Sequence, residues 1–149
     1  MPPLPQIQVG LIQEVADACY QPITQPSDVL PHLTALAQCD REQFVCLHLD
    51  ARNRPRGMEV VSIGSLSASI VHPREVFKAA LLSNAAAVLF AHNHPSGDPS
   101  PSADDIALTR RLQQAGALLG IDVLDHLIIC PNSAFRSLKE EGLMSLVRN

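Results

Sequence analysis

The sequence predicts an α/β sandwich of two or three layers. Three observations carry that expectation. Apolar runs of strand length recur over residues 44–50, 58–63, 85–91 and 122–130, two longer stretches at 74–83 and 102–119 have helical character, and apolar residues make up 46% of the 149 against 17% charged, a globular composition. Strands interleaved with core-covering helices define that class. The length bounds the chain to one domain with a substantial core, expected over residues 21–149 and preceded by an extension over residues 1–20.

The elements follow in order. Residues 1–5 are Pro-rich and extended. Residues 7–20 are apolar-rich and fit either a strand entering a helix or a single helix, broken by Pro22 and Pro26. Ser27 or Asp28 can cap a short helix to about residue 38, with Pro31 tolerable only near its start. Residues 44–50 form a strand, 52–56 a turn and 58–63 a second strand, after which Gly64 permits a bend and 65–71 are extended. Pro73 suits a first helical position and opens the helix over 74–83. Residues 85–91 are the central strand. The second long helix runs over 102–119 and stops at Gly120, residues 122–130 return as a strand, and 134–138 form a last extended piece.

Composition also narrows function. No run of 18 apolar residues exists, which argues against a membrane span. The N-terminus has prolines where a signal peptide would have basic and apolar regions, so a cytoplasmic protein is expected. Cys19, Cys39, Cys46 and Cys130 lack CxxC spacing and read as buried small residues rather than a zinc ribbon or a disulfide framework. A net charge of −4 and a pI near 5.8 weigh against a nucleic-acid surface. The one basic cluster, Arg52, Arg54 and Arg56, reads as a solvated turn.

The stretch 91–105 organises the chain. It joins the central strand to the second long helix through a loop rich in Pro, Ser and Gly. His92 and His94 lie two apart at the strand end and project to one side. An acid in the next helix's first turn can join them. Asp105 shares a helical face with Leu108 and Leu112, but Asp104 is nearly as well placed, and periodicity does not choose between them. Two imidazoles and a carboxylate with an open fourth position suit a catalytic zinc. Ser102 and Asp105 also form a capping box, and the helix dipole favours an acid there, so neither needs a metal to explain it.

His92-x-His94, seven intervening residues, then Ser102-x-x-Asp105 resembles the JAMM (MPN-plus) metalloprotease signature. The fuller string His-Asn-His-Pro-Ser-Gly-Asp-Pro-Ser-Pro-Ser, together with residues 71–77, 84–86, 124–128 and 137–143, is similar to the bacterial RadC branch of that family. The resemblance covers about residues 21–143. It implies an αβα sandwich with a mixed sheet, of the cytidine deaminase-like JAMM/MPN fold. It further implies zinc held by His92, His94 and Asp105, an oxyanion-stabilising role for Ser102, and a general-base glutamate just before the first core strand. Glu42 matches that position. Composition alone does not select it from Glu14, Glu59, Glu75, Glu140 and Glu141, and Glu75 is the rival. His126 reads as a satisfied core imidazole, His72 as a helix-start residue, and His32 and His48 as structural or exposed.

Three functional classes follow: a zinc hydrolase of peptide or isopeptide amide bonds acting on a protein or peptide substrate, a DNA repair-associated protein of RadC type, and a catalytically silent interaction domain. The longer RadC proteins carry a helix-hairpin-helix segment upstream, for which residues 1–20 leave no room, and the acidic charge also counts against the second class. The intact Glu42, His92, His94, Ser102 and Asp105 count against the third. The letters His-Asn-His do not indicate an HNH nuclease. A cytidine deaminase is excluded, because His-x-Glu and Pro-Cys-x-x-Cys are missing.

Overall fold

The computed structural model describes residues 1–11, 20–64 and 71–144. Most of the 7–20 reading, the extended piece expected at 65–70, Glu14 and Cys19 lie outside the described residues. Residues 1–11 carry no regular element and are exposed.

Five strands form one mixed sheet in the order β2-β1-β3-β4-β5. They are β1 (Gln43–Leu49), β2 (Pro55–Ile63), β3 (Ala87–Asn93), β4 (Asp122–Ile129) and β5 (Phe135–Ser137). β1 runs antiparallel to both β2 and β3, β3 and β4 are parallel, and β5 returns antiparallel. The parallel pair needs a crossover, which α3 (Ala103–Leu119) supplies.

Strand alternation sorts the core into two halves. Val45, Leu47, Leu49, Ala87, Leu89 and Ala91 face one side, where Leu33 and Leu36 cover them. Phe44, Cys46, Val88 and Phe90 face the other, against α2 (Pro73–Leu82) and α3. Because both faces are covered, β1 and β3 read as continuous apolar runs rather than alternating ones. The result is three layers, αβα with a mixed sheet, the architecture expected.

The first layer differs in detail from expectation. It is two 3₁₀ turns, Pro26–Asp28 and Leu30–Leu33, followed by a one-turn α1 (Thr34–Ala37). Pro26 and Pro31 each remove a donor, so no continuous α-helical ladder can form there. β2 begins at Pro55, not residue 58, since an edge strand tolerates proline. β3 runs two residues past the expected 91, through His92 and Asn93.

Two local features set the geometry of α3 against the sheet. A Cβ at Gly116 would stand 2.5 Å from the Ile121 carbonyl oxygen, so only glycine lets the helix approach the start of β4. β4 also carries a bulge: Val88 pairs with Val123, but Phe90 pairs with His126, three residues on. The extra residue reverses the alternation, so that Val123 and His126 both face α3. Cys46 and Cys130 are buried and Cys39 is half-buried, all free thiols. Among the described residues, no helix is long and apolar enough to cross a membrane.

Candidate metal centre

His92, His94 and Asp105 converge where β3 ends and α3 begins, outside the carboxyl end of a parallel strand, where open α/β sheets place their ligands. Strand alternation aims both histidines toward α3. His92 Nε2 and His94 Nε2 stand 2.9 Å apart, and Asp105 Oδ1 and Oδ2 lie 3.4 Å and 3.6 Å from them respectively. One ligand atom from each residue fits within 4.8 Å of the others, forming a group that could hold a metal ion. Asp104, equally placed by periodicity, is exposed, whereas Asp105 is buried.

The capping box presents the carboxylate. Ser102 Oγ accepts from the Asp105 N–H at 3.1 Å, and the Ser102 N–H donates to Asp105 Oδ2 at 2.8 Å. Burial opposes ionisation of Asp105, but positive charge on the His92 side, whether a proton on Nε2 or a bound cation, together with the Ser102 bonds, prevails and holds the carboxyl well below the usual carboxylate range.

A chain of hydrogen bonds decides which imidazole nitrogens are bare. Thr109 Oγ1 lies 2.7 Å from the Asp105 main-chain oxygen, which only accepts, so the threonine proton goes there. Thr109 Oγ1 must then accept from His126 Nδ1 at 2.6 Å. His126 is fully buried, and burial pushes its pKa well below the usual value, so the ring is neutral with a bare Nε2. That nitrogen accepts from His92 Nδ1 at 2.7 Å. His94 Nδ1 donates to the Asp98 carbonyl at 2.8 Å. With both Nδ1 protons committed, His92 and His94 turn Nε2 lone pairs toward each other at hydrogen-bond distance, beside an ionised carboxylate. Such an arrangement calls for a positive charge between them. Two imidazole nitrogens and a carboxylate oxygen are the donor set of three-ligand catalytic zinc sites, so the residues present fit that ion.

The other expected residues fall as follows. Glu42 immediately precedes β1. It stands two residues before Phe44, whose register partner His92 ends the β1–β3 ladder. Ser102 is exposed at the mouth of the site. Glu75, the rival base, pairs with Lys78 at 3.1 Å on the exposed side of α2. His72 is the N-cap of α2, and His48 is buried against Ser83. Sequence reading missed Thr109, although it stands four residues after Asp105 on the same helical face. It gave His126 its buried imidazole but not its partner, since the bulge that aims it has no sequence signature.

A model of the RadC-like JAB domain matches residues 23–143. The chain belongs to that family. Among its RadC-family relatives, a UPF0758 protein of Methanosarcina mazei is 52% identical over 123 residues, covering 82% of this chain and 53% of the relative. A UPF0758 protein of Desulforamulus reducens is 53% identical over 109 residues, 73% of this chain and 48% of the relative. One from Desulfitobacterium hafniense is 42% identical over 140 residues, 93% of this chain and 61% of the relative. The chain spans about half the length of the first two. This RadC-like domain thus contains the whole His92, His94, Ser102 and Asp105 constellation within its matched region.

Proposed function

We propose that this RadC-like domain is a zinc-dependent hydrolase of peptide or isopeptide amide bonds. The observation that carries the reading is the facing Nε2 pair of His92 and His94 beside the Asp105 carboxylate. Those three residues would hold the ion. Zinc, when bound, supplies a Lewis acid and lowers the pKa of a water to about 7.

The chain's own residues do the rest. Glu42 is the general base: it takes the proton of the attacking water and delivers it to the leaving amine nitrogen. The role suits a carboxylate outside the ligand set, carried by the entry to a core strand whose neighbour bears His92. Ser102 Oγ accepts the cap bond, which leaves its own hydrogen to donate to the substrate carbonyl oxygen as negative charge develops there. Among the described residues Cys39, Cys46 and Cys130 are free, which fits a reducing compartment, and the reading assigns the chain to the cytoplasm.

The experiment is zinc stoichiometry alongside cleavage of a panel of peptide and isopeptide substrates. Wild type is expected to bind about one zinc per chain and cleave. Glu42→Gln keeps size and loses basicity, so it should keep the metal and lose cleavage; Asp105→Ala should lose the metal. Retained cleavage in Glu42→Gln with loss in Glu75→Gln would transfer the base to Glu75. A wild-type chain that binds no zinc would end the reading.

A further inference from the structure

Asn93 lies between the two histidines in sequence and faces the opposite side of the sheet. It is fully buried, yet its side chain does not pack among apolar groups alone. Oδ1 accepts from the Gln43 main-chain N–H at 2.7 Å. Nδ2 donates to the carbonyls of Arg41 at 2.9 Å and Cys39 at 3.2 Å. Both ends of the carboxamide are thus directed at one loop, the one that leads into β1.

The β3–β1 ladder stops at Phe44 opposite His92. Beyond that pair, the Asn93 side chain takes over the work of main-chain pairing, supplying the acceptor for Gln43 N–H. It also satisfies two carbonyls of a turn that has left regular structure. Between Arg41 and Gln43 lies Glu42. Resting on the function proposed above, we infer that Asn93 is the positioning residue of the general base: it locks the main chain on both sides of Glu42 to the strand that presents His92. The residue type fits the task. Aspartate matches the shape but lacks both donors and would set negative charge against two carbonyl oxygens. Alanine offers neither function. Alternation makes the arrangement economical, since consecutive residues of one strand end serve the metal on one face and the base loop on the other.

The test uses the full chain with its glutamates labelled at Cδ and zinc alone as the probe. In wild type, zinc addition is expected to displace the Glu42 carboxylate resonance, which Glu42→Gln identifies by its disappearance. In Asn93→Asp and Asn93→Ala the zinc stoichiometry should hold, while the Glu42 response falls at least twofold and amide exchange at Gln43 and Phe44 accelerates in Asn93→Ala. Asn93→Asp keeps the shape and the acceptor for Gln43, so it covers the case in which Asn93→Ala does not fold. If wild-type Glu42 does not respond to zinc, the base assignment itself fails. If it responds, and responds equally in both Asn93 variants with unchanged exchange, the positioning role is overturned while Glu42 stands. Loss of zinc in proportion to loss of response would also overturn it, by placing the effect on the ligands.

Discussion

His126 is not one of the three candidate ligands, yet its hydrogen bond to His92 makes it answerable for how well a metal is held. In His126→Leu the ring that accepts from His92 Nδ1 at 2.7 Å is gone. His92 is fully buried, so no water replaces it, and a buried donor left unpaired costs about 1–3 kcal/mol. The His92 ring is also freed to take the other tautomer, with the proton on the nitrogen that should face the metal. Loss of such outer partners weakens metal affinity by about 10- to 100-fold, or about 1.4–2.8 kcal/mol. The two figures agree in size, as they should if one bond underlies both. Phe44 and Phe90 stack edge-on against His126, with centroids at 5.5 Å and 6.2 Å, so leucine still meets an apolar cage and the variant should fold. The assay is zinc affinity by chelator competition, with denaturant unfolding of the metal-free chain. His126→Gln, whose amide oxygen can accept near the same place, should recover part of the affinity. A folded His126→Leu whose zinc affinity stays within about twofold of wild type would refute the tautomer argument.

Ser102→Ala should destabilise the chain by about 1 kcal/mol through loss of the cap to the Asp105 N–H, read from unfolding midpoints, and, on the proposed hydrolase reading, should also lower turnover of the folded protein. A drop in stability alone would confine the serine to capping. His48 is buried, and burial holds its pKa below the usual value. The unfolded ring protonates near 6.5 while the native one resists, so its contribution is complete above about 6.5 and shrinks as pH falls below it, by at most about 1.36 kcal/mol per unit. His126 acts in the same direction, and unfolding midpoints across that range should lie on a flatter curve in His48→Asn. With a net charge of −4, the chain is expected to bind DNA no tighter than about 10⁻⁴ to 10⁻⁶ M at physiological salt, measured by titration; a nanomolar, salt-sensitive complex would favour a repair-associated role.

Much of the site is written locally, and that part was legible. His92 and His94 share a side because strands alternate, and Ser102 with Asp105 announces its turn through capping chemistry. The choice between Asp104 and Asp105 was not legible from spacing, since both lie in the first turn; the Ser102 bond and burial decide it. The layers are legible from apolar runs and two helices, while α1 is a single turn, shorter than the pattern suggests, because two prolines break a stretch that otherwise looks helical. His126, Thr109 and Asn93 acquire their partners only through long-range contacts. For His126 the contact depends on a bulge, and an inserted residue in a ladder leaves no trace in composition or period.

That bulge also divides labour within β4. Shifting the alternation leaves Asp125 facing away from the candidate metal site, and its buried carboxylate, whose pKa burial pushes up, accepts from Ser137 Oγ at 2.6 Å and Lys139 N–H at 3.1 Å. Leu138 is fully buried beside it and accepts from the Leu143 N–H. Neighbouring residues therefore tie two distant parts of the chain, one reaching the candidate ligand His92 and the other the closing turn. A chain cut before Ser137 would strand the Asp125 carboxyl and slacken the strand that holds His126. A unit expected to keep the candidate site folded thus extends at least to Leu143, and fusions or tags belong beyond it.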